Sequence, residues 1–128
     1  MAVELLASDE FARWFEWMAA ADPEVAREVA NVVEVYSAKE EHLRRVAFDV
    51  CVSPGGRVAF VVAHLGGVVF LASGAEIEGS DRRVMTMVSR ARKVARRMQQ
   101  GRLELQPWEE VRKWLRGGVG AVSVRGAG

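Results

Sequence analysis

The chain has 128 residues, half of them hydrophobic and 27% charged, with a formal net charge of +1. That length and balance describe one domain of ordinary globular composition that buries about two thirds of its unfolded surface and folds without staples. Its single cysteine, Cys51, excludes an internal disulfide and suits a reducing cytosol, so a cytoplasmic protein is expected.

The opening MAVELLASDEF has no basic start and no long apolar run, so no signal peptide is expected. Ser8 to Ala20 is predicted as the first helix. Ser8 is its cap, Asp9 and Glu10 suit the positive end of its dipole, and Phe11, Trp14, Phe15 and Met18 form its apolar face. Asp22-Pro23 restarts the chain as a second helix, since proline fits the first helical position. Val25, Val29, Val32 and Tyr36 stripe that helix, and the short link predicts a helical hairpin.

The polar stretch SAKEEHLRR, residues 37–45, is predicted as a connection, followed by a strand from Val46 to Val52 and a turn at Ser53-Pro54-Gly55-Gly56. Val58 to Ala75 then contains no Asp, Glu, Lys or Arg, about the length of a bilayer span. It is nevertheless predicted as a β-hairpin and not as a membrane segment. It is interrupted by His64 and by Gly66-Gly67, and it is rich in Val and Phe, which favour a pleated surface. Both strands are apolar at nearly every position, which predicts a sheet covered on both faces.

Ser80 or Asp81 caps a third helix to Gln100, with an apolar stripe of Val84, Met87, Val88, Ala91, Val94, Ala95 and Met98 and a stop at Gly101. A fourth helix is predicted from Pro107 to Gly117, with Trp108, Val111, Trp114 and Leu115 on one side and a Glu109–Lys113 pair. The fold class is therefore α+β: a helical hairpin, a small three-stranded antiparallel sheet and C-terminal helices. Residues 1–101 form the domain, 102–117 an appended helix and 118–128 a flexible tail.

Two features carry chemistry. Arg57 stands at the mouth of the apolar hairpin, where a small sheet can present a guanidinium to two phosphate oxygens at once. The alternative is a surface ion pair, with Asp49 and Glu76 as partners or, in the active reading, as bases. The third helix is the second feature: seven of the sixteen residues from Arg82 to Arg97 are Arg or Lys, with no acid among them. Arg83, Arg90, Lys93 and Arg97 share one face, flanked by Arg82, Arg92 and Arg96. Such a face suits a phosphate backbone, or is simply solvated against acids elsewhere. His64 is expected as an exposed residue at the hairpin tip. His42 lies beside Arg44 and Arg45 as an RNA contact or a solvated helix end. Two isolated histidines make no metal site, so neither metal nor cofactor is expected. The Trp108–Leu115 stripe reads as core, or as a dimer or partner face.

The order of these elements, with Gly55-Gly56-Arg57-Val58-Ala59-Phe60 after the first strand and Glu10-Phe11-Ala12-Arg13-Trp14-Phe15 in the first helix, resembles the RelE/ParE toxin superfamily. The nearest part of it is the HigB-like "addiction module killer protein" branch. The resemblance spans residues 8–98. It implies a toxin of a type II toxin–antitoxin pair: a ribosome-dependent mRNA endoribonuclease that needs no metal, or a ParE-like module that inhibits DNA gyrase or pairs with another protein. It implies a cognate antitoxin, the ribosome and mRNA as partners, and no membrane. It assigns the phosphate-stabilising role to Arg57. The chain departs from the branch's pattern where Gly56 replaces a tyrosine, Asp49 an arginine, and Gly74-Ala75-Glu76-Ile77-Glu78 a basic loop.

Overall fold

The computed structural model describes residues 5–37, 47–65, 68–113 and 115. They form a mixed α+β fold in the order β1 (Leu6–Ser8), α1 (Asp9–Ala21), α2 (Pro23–Ser37), β2 (Ala47–Val52), β3 (Val58–Leu65), β4 (Val68–Glu76), α3 (Asp81–Gln99) and β5 (Leu105–Pro107). Residues 108–113 are helical again.

The sheet has five strands in the order β2-β3-β4-β1-β5, not the three expected. The expected antiparallel β2-β3-β4 meander is present. To it are added β1, parallel to β4, and β5, antiparallel to β1. Each added strand has three residues, too few for an alternation to show in the sequence. Pro107 ends β5, an edge strand, where a missing N–H breaks no ladder.

Helices cover both faces of the sheet, and the side-chain alternation of β3 assigns the layers. Val58, Phe60 and Val62 point into a core with Phe11, Phe15 and Met18 of α1 and Val25, Val29 and Val33 of α2. Ala59, Val61, Ala63 and Leu65 point into a second core with Met87, Ala91, Val94 and Ala95 of α3. Each fully buried large apolar side chain here contributes roughly 1.5–3 kcal/mol. Burial on both faces explains the unbroken apolar run of β3.

A bulge lies opposite Val61 and Val62, where Ser73 and Leu71 are the register partners and Ala72 has none in β3. Ala72 and Ser73 consequently both serve the α3 side. Ala72 packs in that core, and the Ser73 hydroxyl donates to the Met87 carbonyl at 2.9 Å. Gly74 returns to the α1 side, where the Trp14 ring lies on its backbone.

The helix starts follow the expected chemistry. The Ser8 side chain accepts from Phe11 N–H, Asp22 from Val25 N–H and Ser80 from Arg83 N–H. The segment after Gly101, expected as an appended helix, contributes β5 to the sheet. It also buries Trp108 and Val111 in the α1/α2 core, with the Trp108 ring 5.2 Å from that of Phe15. Lys113 pairs with Glu110 and Glu109 with Arg112, so the expected Glu109–Lys113 pair is replaced by neighbours three residues apart. The predicted hairpin turn at Gly66-Gly67, the polar connection with His42, Arg44 and Arg45, the Trp114 side chain and the 118–128 tail lie outside the described residues.

Candidate functional site: a cationic end of the sheet

Arg57 occupies the last turn position before β3, directly after Gly56, whose φ of 72° is the left-handed value that lets the chain reverse. The turn is closed by Gly56 N–H donating to the Ser53 carbonyl at 2.8 Å and Ser53 N–H donating to Val58 at 2.9 Å. The backbone carbonyl of Arg57 accepts from Ile77 N–H at 2.8 Å and Glu78 N–H at 3.1 Å, so the start of β3 is fixed to the loop after β4. Its side chain is 59% exposed, and its guanidinium meets Asp22 of the α1–α2 link at 3.4 Å.

The expected ion-pair candidates behave differently. Glu76 is exposed, opposite Val58 in the register and so adjacent to Arg57, but it forms no ion pair among the described residues. Asp49 is far from Arg57 along the sheet. It faces α2, and its carboxylate accepts from the Tyr36 hydroxyl at 2.6 Å and lies 3.2 Å from His64 Nε2.

The loop between β4 and α3, which is hydrogen-bonded to Arg57, is backbone-strained. Glu78 has a φ of 43°, the one positive value outside glycine among the described residues, and Gly79 follows at 77°. The Glu78 carboxylate sits 4.0 Å from Arg83, the first member of the expected cationic row. Arg57 and the row thus meet at the same end of the sheet, joined through Glu78.

From there Arg83, Arg90 and Arg97 recur every seven residues, two turns apart, along the flank of α3 nearest α1. Arg97 lies 3.7 Å from Asp9, and Arg90 is the largest cationic influence on Glu10. Burial is the larger influence there. It raises the Glu10 pKa above its ordinary 4.5, and one carboxylate oxygen has no hydrogen-bond partner among the described residues. Lys93, next along the face, is exposed and forms no ion pair among the described residues. The four expected RNA-facing cations therefore share one helix face. Two of them carry single loose carboxylate contacts, which leave net positive charge.

His64 departs from expectation. It belongs to β3, is 4% exposed and faces α2. Tyr36, Asp49 and His64 converge, with the Tyr36 hydroxyl also hydrogen-bonded to His64 Nε2. Burial first, then the hydrogen bond to Asp49 and that carboxylate's charge, push the Tyr36 phenol above its usual 10. The trio ties the end of α2 to β2 and β3. Sequence reasoning missed it because its members are far apart in the chain. The one signal was Tyr36 at the polar end of an apolar stripe, since a buried phenol needs a partner.

Among the described residues no group of three or more His, Cys, Asp or Glu can hold a metal, and no helix is long and apolar enough to cross a membrane. No protein-family model, curated protein or solved structure matches the chain.

Proposed function

We propose that this protein is the toxin of a type II toxin–antitoxin pair, a cytoplasmic, ribosome-dependent endoribonuclease that works without a metal. The observation that carries the reading is Arg57: a half-exposed guanidinium at the end of a rigid, doubly covered strand, beside the start of a cationic helix face. Cleavage of RNA by its own 2′-hydroxyl builds negative charge on the phosphate. A guanidinium offers two parallel N–H donors to that charge, and fixed donors act most strongly where the scaffold holds them in advance. Arg83, Arg90, Lys93 and Arg97 would hold the flanking phosphates without reading sequence. The loose contact to Asp22 reserves Arg57 in the free protein and yields to the scissile phosphate, whose oxygens match the guanidinium fork and whose charge grows in the transition state.

One observation favours a second reading. Asp22, Glu76 and Glu78 stand around Arg57, and this acidic surround repels an RNA backbone. In that reading the same fold is a non-catalytic module that inhibits DNA gyrase or pairs with a partner protein.

Induced expression of wild type and Arg57→Ala in a bacterial host, with primer extension on a reporter mRNA, separates the two. Growth arrest with new codon-spaced cuts, both absent in Arg57→Ala, supports the nuclease. Arrest without cuts supports the binding module. Soluble wild-type protein that neither arrests growth nor cuts mRNA refutes the nuclease and the gyrase-inhibitor readings and leaves the partner-pairing module.

A further inference from the structure

The flank of α3 opposite the Arg83–Arg90–Arg97 row faces a different surface. That row borders Asp9 and Glu10 at the start of α1, on the β1 side of the sheet. The sheet order puts β2 at the other margin, and α3 packs against β2 as well. By helical spacing Met85, Val88, Arg92 and Arg96 form the flank that looks toward β2.

β2 is an edge strand among the described residues, paired on one side only. Its register with β3 runs over six consecutive pairs without irregularity. It contains no Pro, no Lys and no bulge, the devices that blunt an exposed edge. Val50 and Val52 are paired with Val61 and Ala59, so they lie on the α3 face, yet they remain 40% and 47% exposed. Met85 on the facing helix is 70% exposed. The one charge in β2, Asp49, points to the opposite face and is engaged by Tyr36 and His64. Apolar side chains therefore stand exposed along an edge that has no partner strand among the described residues. By helical spacing Arg92 and Arg96 share the Met85 flank of α3, and both are exposed and without an ion pair among the described residues.

We propose that the β2 edge and the Met85–Arg96 flank of α3 form a docking site for an extended, acidic segment of a partner polypeptide, which adds to the sheet as a strand beside β2. Backbone groups of β2 supply the affinity common to any strand addition. Val50, Val52 and Met85 take alternate apolar side chains, and Arg92 and Arg96 select carboxylates. Charge decides the occupant. A second copy of this chain would bring two arginine-rich α3 helices side by side, whereas an acidic strand neutralises them. The inference stands independently of the nuclease reading, because the site uses neither Arg57 nor the Arg83–Arg97 row and its test does not read toxicity.

The test uses the full chain, isotopically labelled, titrated with an end-blocked alternating Glu-Val octapeptide, and in parallel with the Lys-Val counterpart and with oligouridylate. Amide shifts should appear in β2 and in the Met85–Arg96 flank with the Glu-Val peptide alone, together with slowed exchange of β2 amides. Arg92→Glu with Arg96→Glu should weaken that binding about fivefold to thirtyfold, as two partly exposed charge contacts imply. Val50→Thr with Val52→Thr, which keeps strand propensity, should weaken it as well. The proposal is overturned by no binding, by equal binding of both peptides, by shifts that map elsewhere, by oligouridylate moving the same β2 amides, or by self-association through β2 without peptide.

Discussion

Replacing Ser8 by Ala removes two hydrogen bonds, one that caps α1 and one that joins β1 to β4, and their sum can be separated by a matched control. The Ser8 hydroxyl is fully buried. It donates to the Ala72 carbonyl at 2.8 Å and accepts from Phe11 N–H at 3.0 Å. Loss of the cap alone costs about 1 kcal/mol. The second bond ties β1 to the residue that the β4 bulge leaves without a partner in β3, so its loss leaves acceptor capacity of a buried carbonyl unfilled, at about 1–3 kcal/mol. Ser8→Ala should therefore cost roughly 2–4 kcal/mol. Ser80 caps α3 through Arg83 N–H in an exposed setting, and its side chain makes no second bond among the described residues, so Ser80→Ala should cost about 1 kcal/mol. Urea unfolding of both variants, with the slope on denaturant unchanged, reads the difference directly. Equal losses for the two serines would refute the claim that Ser8 fastens β1 to the bulge.

Other expectations follow from the charges and the trio. Asp22→Asn keeps a capping side chain for α2 while it removes the charge beside Arg57. RNA affinity in a filter-binding assay should rise by up to about fivefold, the worth of one exposed ion pair, and a fall would show that Asp22 positions Arg57 for RNA. The single tyrosine, Tyr36, should show no phenolate absorbance near 295 nm as the folded protein passes pH 10, because burial and Asp49 raise its pKa. The unfolded chain should titrate at about 10, and a folded protein that does the same lacks the Tyr36–Asp49–His64 contact. A raised folded pKa at Glu10 stabilises the fold fully below the ordinary 4.5 and loses that contribution as pH rises through the folded value. Glu10→Gln should accordingly be more stable than wild type at neutral pH, with the advantage shrinking as pH falls through the raised folded pKa and gone below the ordinary 4.5. A pH-independent difference would show that Glu10 carries no shift.

The parts of the fold that were legible in the sequence are those set by local chemistry. Ser8, Asp22-Pro23 and Ser80 announce helix starts by side chains that satisfy backbone N–H groups a few residues away. The β2-β3-β4 meander is legible because its strands are long, apolar and separated by short turns. β1 and β5 are not, because a three-residue strand is made by its neighbours: β1 exists by pairing with β4, more than sixty residues away in the chain. The candidate site divides the same way. The α3 cations share a helix face, so spacing alone groups them. Asp22 beside Arg57, and Tyr36 beside His64, are tertiary contacts that no local pattern encodes. His64 shows the cost of local reasoning most plainly. A polar residue next to two glycines suggests an exposed tip, whereas its even position along β3 aims it at α2 and burial follows.

In the proposed function Arg57 acts on the scissile phosphate of ribosome-bound mRNA. The most direct measurement of that role is single-turnover cleavage of a labelled mRNA in purified ribosome complexes by wild type, Arg57→Lys and Arg57→Ala. Cuts are expected only when ribosomes are present, with a fall of at least about a hundredfold in Arg57→Ala and partial retention in Arg57→Lys, which keeps the charge but not the fork. Uncut mRNA with the wild-type protein, or cutting by Arg57→Ala at the wild-type rate, would contradict it.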